Sequence, residues 1–489
     1  MKKLLMSVAV FATALFANAQ TPADFVPYKS TSLRLPSVPL VVSDPYFSIW
    51  SPYDKLNDGD TRHWTHDEKP LEGLLRVDGK TYRFMGSKEK YLLEAIVPMA
   101  DEVRWKAKYT RTNPGAGWEK PDFNADGWKE GEAAFGSPDL NFVSTRWSEE
   151  NSDLYVRRSF ELTEEDLKND LYLVYSHDDV FEIFINGTSV AKTGETWREG
   201  VKVHLTDDMK KLLKPGKNVI ASHCHNTTGG AYTDFGLYKN LARSNEQIMQ
   251  AEQKSVSVLA TSSYYTFVCG PVELDVVFTA PMLINDYDLL SMPINYISYQ
   301  VRSTDKKTHD VQFYLSANPL QAVNKSSQPT VSSTVIKNGV KYLKTGTVDQ
   351  PILAKKGDGI CIDWGYFYMP NVNGNVSLAA ENTVKDAFLS TGELPESENE
   401  IVCRKASQMP TLAYVHNFGN VTTASSFTML GYDEIQDIEY MYERYKGYWA
   451  HGGKVTIFDA FDRMKNSYSD IMAKCREFDK MIYDDALKA

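Results

Sequence analysis

Cysteine is scarce in this chain. There are five in 489 residues, at positions 224, 269, 361, 403 and 475, far apart and with no Cys-x-x-Cys pair. Such spacing gives no disulfide framework, and the odd count leaves at least one thiol unpaired within the chain. The five read as small buried apolar residues. Long apolar runs are missing beyond the first twenty residues, so no transmembrane helix is expected. Positive charge is also in deficit: 53 Lys and Arg stand against 64 Asp and Glu, a net −11. An acidic chain of this kind is a poor partner for nucleic acid or anionic membranes, and neither is expected. No Gly-x-Ser-x-Gly elbow, His-Glu-x-x-His pair, Walker loop or dinucleotide fingerprint occurs, so those routes to catalysis have no support.

What is present begins with a leader. Met1-Lys2-Lys3 is basic, Leu4 to Phe16 is apolar, and Ala17-Asn18-Ala19 is a small-x-small cleavage signal. This predicts a secretory signal peptide cut after Ala19 and an exported protein, periplasmic or extracellular. No cysteine stands directly after the cut, where Gln20 lies, which argues against a lipid anchor. Losing the leader's two lysines takes the charge from −11 to −13. Single cores stop growing at roughly 250–300 residues, so several domains are expected. Aromatic residues make up 12% of the chain, a content suited to β-sandwich cores and to carbohydrate-facing surfaces.

The clearest local pattern runs from Leu171 to Gly187. Two β-rich runs flank Ser176-His177-Asp178-Asp179, and the second closes on Asn186-Gly187, a dipeptide suited to a tight hairpin turn. Earlier, Asp78-Gly79 forms a second hairpin signal within LLRVDGKTYRFMG. Between about 101 and 240, short alternating strands punctuated by Gly and Pro predict a jelly-roll-like sandwich. It opens with Trp118-x-x-Pro121-Asp122-Phe123, then Gly127-Trp128 and Ala134-Phe135-Gly136. With Arg157-Arg158, His177-Asp178-Asp179 and Pro215-Gly216-Lys217-Asn218-Val219, this order resembles the galactose-binding-like module of exported glycoside hydrolases.

A charged connector, residues 244–254, reads as a short helix or linker. Beyond it Val272, Leu274, Val276 and Phe278 alternate with Glu273, Asp275, Val277 and Thr279, predicting one buried and one mostly polar face in a second, larger sandwich. From Asp433 to Lys446 the spacing reads as helical. A further helix is expected from about Val455 to Leu487, where Ile457, Phe461, Met464, Tyr468, Ile471, Cys475, Phe478 and Ile482 form one apolar stripe. That stripe needs cover, either the sandwich itself or a separate helical polypeptide.

Two clusters place polar groups among aromatics and are the candidate ligand contacts. One is Arg62, His63 and Trp64, where a guanidinium and an indole could hold a planar or sugar-like group; the other is Asp363 and Trp364. The plainer reading of each is structural, a packed loop for the first and a packed strand with one polar tip for the second. His223-x-His225 puts two imidazoles on one strand face, but no third ligand follows, so no metal and no cofactor are expected. Asp178-Asp179 and Asp484-Asp485 are sequence neighbours, and neighbours on a strand face opposite ways, so Asp178-Asp179 is not expected to be an acid/base pair.

The order of several motifs resembles the exported glutaminase A family. They are VVSDPYFSIWSPYDKL, LEGLLRVDGKTYRFMG, DLLSMPINYISYQVRSTDKKTHDVQFYLSAN, DWGYFYMP, HNFGNV, LGYDEIQDIEYMY and AKCREFDKMIYDDALKA. The resemblance implies a mainly β chain with this division: signal peptide 1–19, an N-terminal β segment 20–100, an inserted galactose-binding-like sandwich 101–240, a β-sandwich 241–430, and 431–489 as the helical start of a six-hairpin α/α domain. It also implies that this chain is a truncated N-terminal portion, with the full catalytic domain missing. Intact relatives would hydrolyse L-glutamine to glutamate and ammonia. The alternatives are a non-catalytic glycan-binding accessory protein and a glycoside hydrolase-like member. The expected ligand is a small molecule or glycan, and no residue is assigned as catalytic.

Overall fold

The computed structural model describes residues 22–30, 34–140, 142–242, 247–355, 357 and 359–489. The expected leader and its cleavage site lie outside them. The fold is mainly β, built of sandwich domains with its longest helical stretch at the C-terminal end. The chain divides into two compact units, one of residues 1–88, 245–403 and 410–489, the other of residues 89–244 and 404–409.

The first unit faces a six-stranded sheet with a nine-stranded one. In the smaller sheet the order is Met249–Gln250, Lys80–Met85, Leu71–Val77, His309–Ala317, Pro410–Val421 and Asn375–Ala380. The hairpin expected at Asp78-Gly79 is there, with Val77 opposite Lys80. Strands from residues 71–85 and from beyond residue 300 thus share one sheet, and the N-terminal segment contributes to this unit's core. Leu75, Phe84, Phe313 and Leu412 of this sheet meet Phe267, Leu274, Val276 and Tyr299 of the other, all buried.

The strand Val272–Thr279 corrects the expected one-sided pattern. Leu274, Val276 and Phe278 face the core as predicted, but Asp275, Val277 and Thr279 are buried too. The reason is tertiary: Phe25 packs on Val277 and Tyr264 from outside the sheet. The connector 244–254 is corrected as well. Its described part supplies strands Met249–Gln250 and Glu252–Val258, because each finds a free sheet edge to pair with.

The stretch 433–446 is not a helix. The strand Thr423–Asp433 ends there, and Ile438–Tyr440 pairs with Glu443–Tyr445 as a two-stranded hairpin. Met441 and Tyr442 make its turn at φ 49° and 69°, left-handed values usually left to Asn and Gly. Both hairpin strands are exposed, and Tyr442 is 99% accessible.

The C-terminal helix is two helices, Ile457–Asn466 and Tyr468–Lys488, meeting at Ser467. The first opens on a capping box in which Thr456 and Asp459 satisfy each other's backbone N–H groups. The apolar stripe packs onto the nine-stranded sheet: Ile457, Phe461, Met464, Tyr468, Ile471 and Cys475 join Tyr296, Tyr342, Tyr368 and Phe427 in one buried cluster. Ile482 lies beyond that contact and is exposed.

The second unit is a sandwich of two six-stranded sheets. One runs Thr188–Thr193, Val180–Ile185, Gly216–Asn226, Ser152–Leu162, Lys106–Thr110, Lys129–Glu132. The other centres on Leu171–Asp178 and Tyr232–Asn240. Its core holds Trp105, Phe135, Trp147, Phe181, Ile183, Ile220 and Phe235. Asn186, at φ 47°, and Gly187, at φ 94°, make the turn read from the sequence.

Candidate functional site

In the first unit, the two sequence-predicted clusters meet around one short turn. After the strand Val38–Val42, Asp44 Oδ1 accepts the backbone N–H groups of Tyr46 (2.6 Å) and Phe47 (3.0 Å), which folds the chain back into Ser48–Ser51. The Pro45 carbonyl in that turn accepts from Trp64 Nε1 at 2.6 Å and from His63 Nε2 at 3.0 Å. On the opposite side, Ile362 N donates to Tyr46 O at 2.9 Å, and the Tyr46 and Trp364 rings lie 5.9 Å apart. Residues roughly 300 positions apart in the chain therefore meet at this turn.

The roles within it differ. Trp64 stays 47% exposed, with its ring fixed by Pro45. His63 is buried, and with Nε2 donating to Pro45 its Nδ1 accepts from the Thr65 backbone N–H at 3.3 Å, 2.8 Å from the Thr65 hydroxyl. Burial, aided by the Lys69 charge, lowers its pKa to about 4. A base that weak keeps the loop in shape but takes few protons at neutral pH. Thr65 Oγ1 also reaches Asp67 Oδ2 (2.8 Å), and the Cys361 thiol lies 3.4 Å from the same oxygen. Burial pushes that thiol up to about 11, so it is no nucleophile. Arg62 turns inward, donating to His66 O (2.7 Å) and lying 3.6 Å from Glu68.

Asp363 is 1% exposed and is held by Lys355 Nζ (2.6 Å) and Gln328 Nε2 (2.9 Å). Trp364 donates its Nε1 to Gln436 O at 3.0 Å. That bond leads to the residues sequence reasoning missed: Asp44, Glu434 and Asp437. Glu434 is 6% exposed, and burial together with a hydrogen bond and charge from Asp44 raises its pKa well above the usual range. Asp437 is pushed up to about 6 by burial and the neighbouring acids, against the bond it accepts from Gly447 N–H. Burial beside Asp44 favours the protonated form of Glu434, and a protonated carboxyl can donate a hydrogen bond, so Glu434 is the group here with acid character. The signal was legible as Asp433-Glu434…Asp437, but the helical reading of that stretch obscured it.

In the second unit, the premise that Asp178 and Asp179 face opposite ways is corrected. Alternation of faces holds only within a ladder, and Asp179 lies between two, after Leu171–Asp178 in one sheet and before Val180–Ile185 in the other. There the two carboxyls bond each other, and burial with that bond pushes Asp178 up to about 6. Asp179 Oδ2 also accepts Thr227 N at 2.8 Å. His223 Nε2 and His225 Nδ1 both reach Asp153 Oδ1, at 2.7 and 3.0 Å. Among the described residues, no group of three or more His, Cys, Asp or Glu is placed to hold a metal ion.

Comparison with known proteins gives two family matches. The model described as a domain of unknown function (DUF5127) matches residues 261–485, and another domain of unknown function (DUF4964) matches residues 8–98, partly outside the described residues. A relative, Glutaminase A of Aspergillus oryzae (strain ATCC 42149 / RIB 40), is 23% identical over 273 residues, 53% of this chain. The chain spans 38% of the length of that relative. Among solved structures, a b-glucuronidase from Ruminococcus gnavus in complex with D-glucaro 1,5-lactone is 11% identical, over 60% of this chain and 47% of its own, at a TM-score of 0.23. A glycosyl hydrolase family 2 member from Bacteroides cellulosilyticus DSM 14838 is also 11% identical, over 55% of this chain and 33% of its own, again at 0.23. Likenesses at that TM-score carry no functional reading.

Proposed function

We propose that this chain is the β-rich body of an exported hydrolase of the glutaminase A kind, and that amide hydrolysis needs further residues from the larger remainder of such proteins. The observation that carries the reading is the sequence similarity to Glutaminase A over 273 residues, which runs with the order of motifs quoted above. Amide hydrolysis requires an activated nucleophile or water and a stabilised oxyanion. Among the described residues all five cysteines are buried, and the thiols of Cys361 and Cys475 are pushed up by burial to about 11 and about 12. Glu434, favoured in its protonated form by burial beside Asp44, is the proton donor that these residues offer.

The test is ammonia release from L-glutamine by the mature chain, beside a form joined to the unmatched part of a longer relative. The expected outcome is a silent mature chain and an active joined form. Turnover by the mature chain alone would refute the division of labour, and Glu434→Gln and Asp44→Asn would then be the variants to assay.

A second reading is favoured by one feature, the exposed Trp64 held by the Pro45 carbonyl. It is a glycan-binding accessory body, with Trp64 as the stacking ring. It predicts glycan affinity without turnover, weakened roughly fivefold or more in Trp64→Ala, since losing about 1 kcal/mol of ring contact lowers an equilibrium constant by that factor. An unchanged affinity in that variant would remove Trp64 from the site.

A further inference from the structure

His309 begins the strand His309–Ala317, next to two exposed turns of the first unit. Its ring is nearly buried, and both ring nitrogens meet carboxylates: Nδ1 lies 2.7 Å from Asp78 Oδ2, and Nε2 lies 3.0 Å from Asp305 Oδ1. An ionised carboxylate only accepts hydrogen bonds, so each nitrogen must carry a proton for both contacts to hold. The ring bridging them is therefore an imidazolium.

We propose that His309 is a pH-operated clasp: with two ring protons it ties the Asp305 turn to the Asp78 turn, and on losing one it releases the Asp305 turn. The direction of release follows from the anchoring of the two acids. Asp78 is fixed independently of the ring, since Asp78 Oδ1 accepts Asp310 N (3.0 Å) and Asp78 N donates to Asp310 O (2.9 Å). The other partners of Asp305 Oδ1, the Lys307 N–H in its own turn and the hydroxyl of Ser303 at the end of the strand Ile294–Ser303, both at 2.9 Å, lie on its own side of the contact with the ring. A neutral imidazole keeps one N–H. It stays on the shorter contact to Asp78, and the bare Nε2 lone pair then faces a carboxylate oxygen.

The surrounding charges are few. Asp310, paired with Arg76 at 3.9 Å, and Lys307, 3.8 Å from Asp305, flank the two carboxylates. The neighbouring strand Pro410–Val421 sets Val421 and Asn420 opposite His309 and Asp310, and neither ionises. The hydrogen bonds to Asp78 and Asp305 raise the pKa of His309 above its ordinary 6.5. A raised pKa gives stability that is fully present below the unfolded value and is lost as pH rises through the folded one. The clasp is thus closed below about pH 6.5 and opens above it.

The test is a titration of the histidine ring signals of the full chain by NMR, with His309→Gln identifying the resonance. The expected midpoint lies above about 6.5 and falls by about one pH unit in Asp305→Asn, which removes one opposing charge. Hydrogen exchange of the 303–309 backbone, corrected for intrinsic pH dependence, should accelerate across the same midpoint. A midpoint at or below the ordinary histidine value, or one unmoved in both Asp305→Asn and Asp78→Asn, would overturn the proposal, as would exchange that ignores the titration. If His309→Gln does not fold, the signal that shifts in Asp305→Asn gives the midpoint by itself.

Discussion

Single residues carry sharply different burdens in this protein. Glu72, in the strand Leu71–Val77, is nearly buried between Arg83 and Lys385, both also buried. Removing one member of such a set leaves uncompensated charge in a dry site, a cost of about 3–5 kcal/mol, whereas replacing all members by apolar side chains is often neutral. Glu72→Ala is expected to lower the melting temperature of the first unit markedly, and a Glu72→Met/Arg83→Met/Lys385→Met combination to recover most of it. A small shift in the single variant would mean that the three charges are solvated. In the sequence Glu72 and Arg83 stood within the LEGLLRVDGKTYRFMG stretch, and Lys385 in no pattern read from it. That Lys385, roughly 300 positions away, closes on Glu72 follows from where the helix Glu381–Thr391 lands. The candidate site divides the same way: Trp64 and Trp364 were legible as aromatics beside polar groups, but not the Pro45 carbonyl that holds Trp64.

At the scale of elements, the C-terminal helices rest on packing more than on local signals. Thr456→Ala removes half of a capping box and should cost about 1 kcal/mol. Phe461→Ala empties a site between Tyr342 and Tyr368, whose ring centroids lie 5.4 and 6.4 Å away, and should cost about 3–5 kcal/mol. Hydrogen exchange over residues 457–488 should therefore rise far more in Phe461→Ala than in Thr456→Ala. Equal effects would mean that the helices stand by their own propensity. The hairpin Ile438–Tyr445 shows the converse. Its aromatic and charged residues fit a helical spacing as well as a strand one, and the left-handed turn at Met441 and Tyr442 closes it as a two-stranded sheet of its own.

For the whole molecule, each unit has its own core, one around Phe84, Phe267 and Phe313 and the other around Trp105, Phe135 and Phe235. Separate cores are expected to melt separately. Calorimetry should resolve two transitions, and Trp105→Ala should lower only one. A single transition that moves as a whole would show the two units unfolding together.

The sequence by itself determined the β character, the turns at Asp78-Gly79 and Asn186-Gly187, and the apolar stripe of the last helices. These are local facts, written within a few residues by side-chain period and by backbone freedom at the turns. Tertiary structure alone decided that Val277 is buried, that Asp178 and Asp179 bond each other, and that Arg62–Trp64, Asp363–Trp364 and Glu434 gather around Asp44-Pro45-Tyr46. Burial and proton affinity depend on groups brought close by the fold, and distance in space is not encoded by distance along the chain.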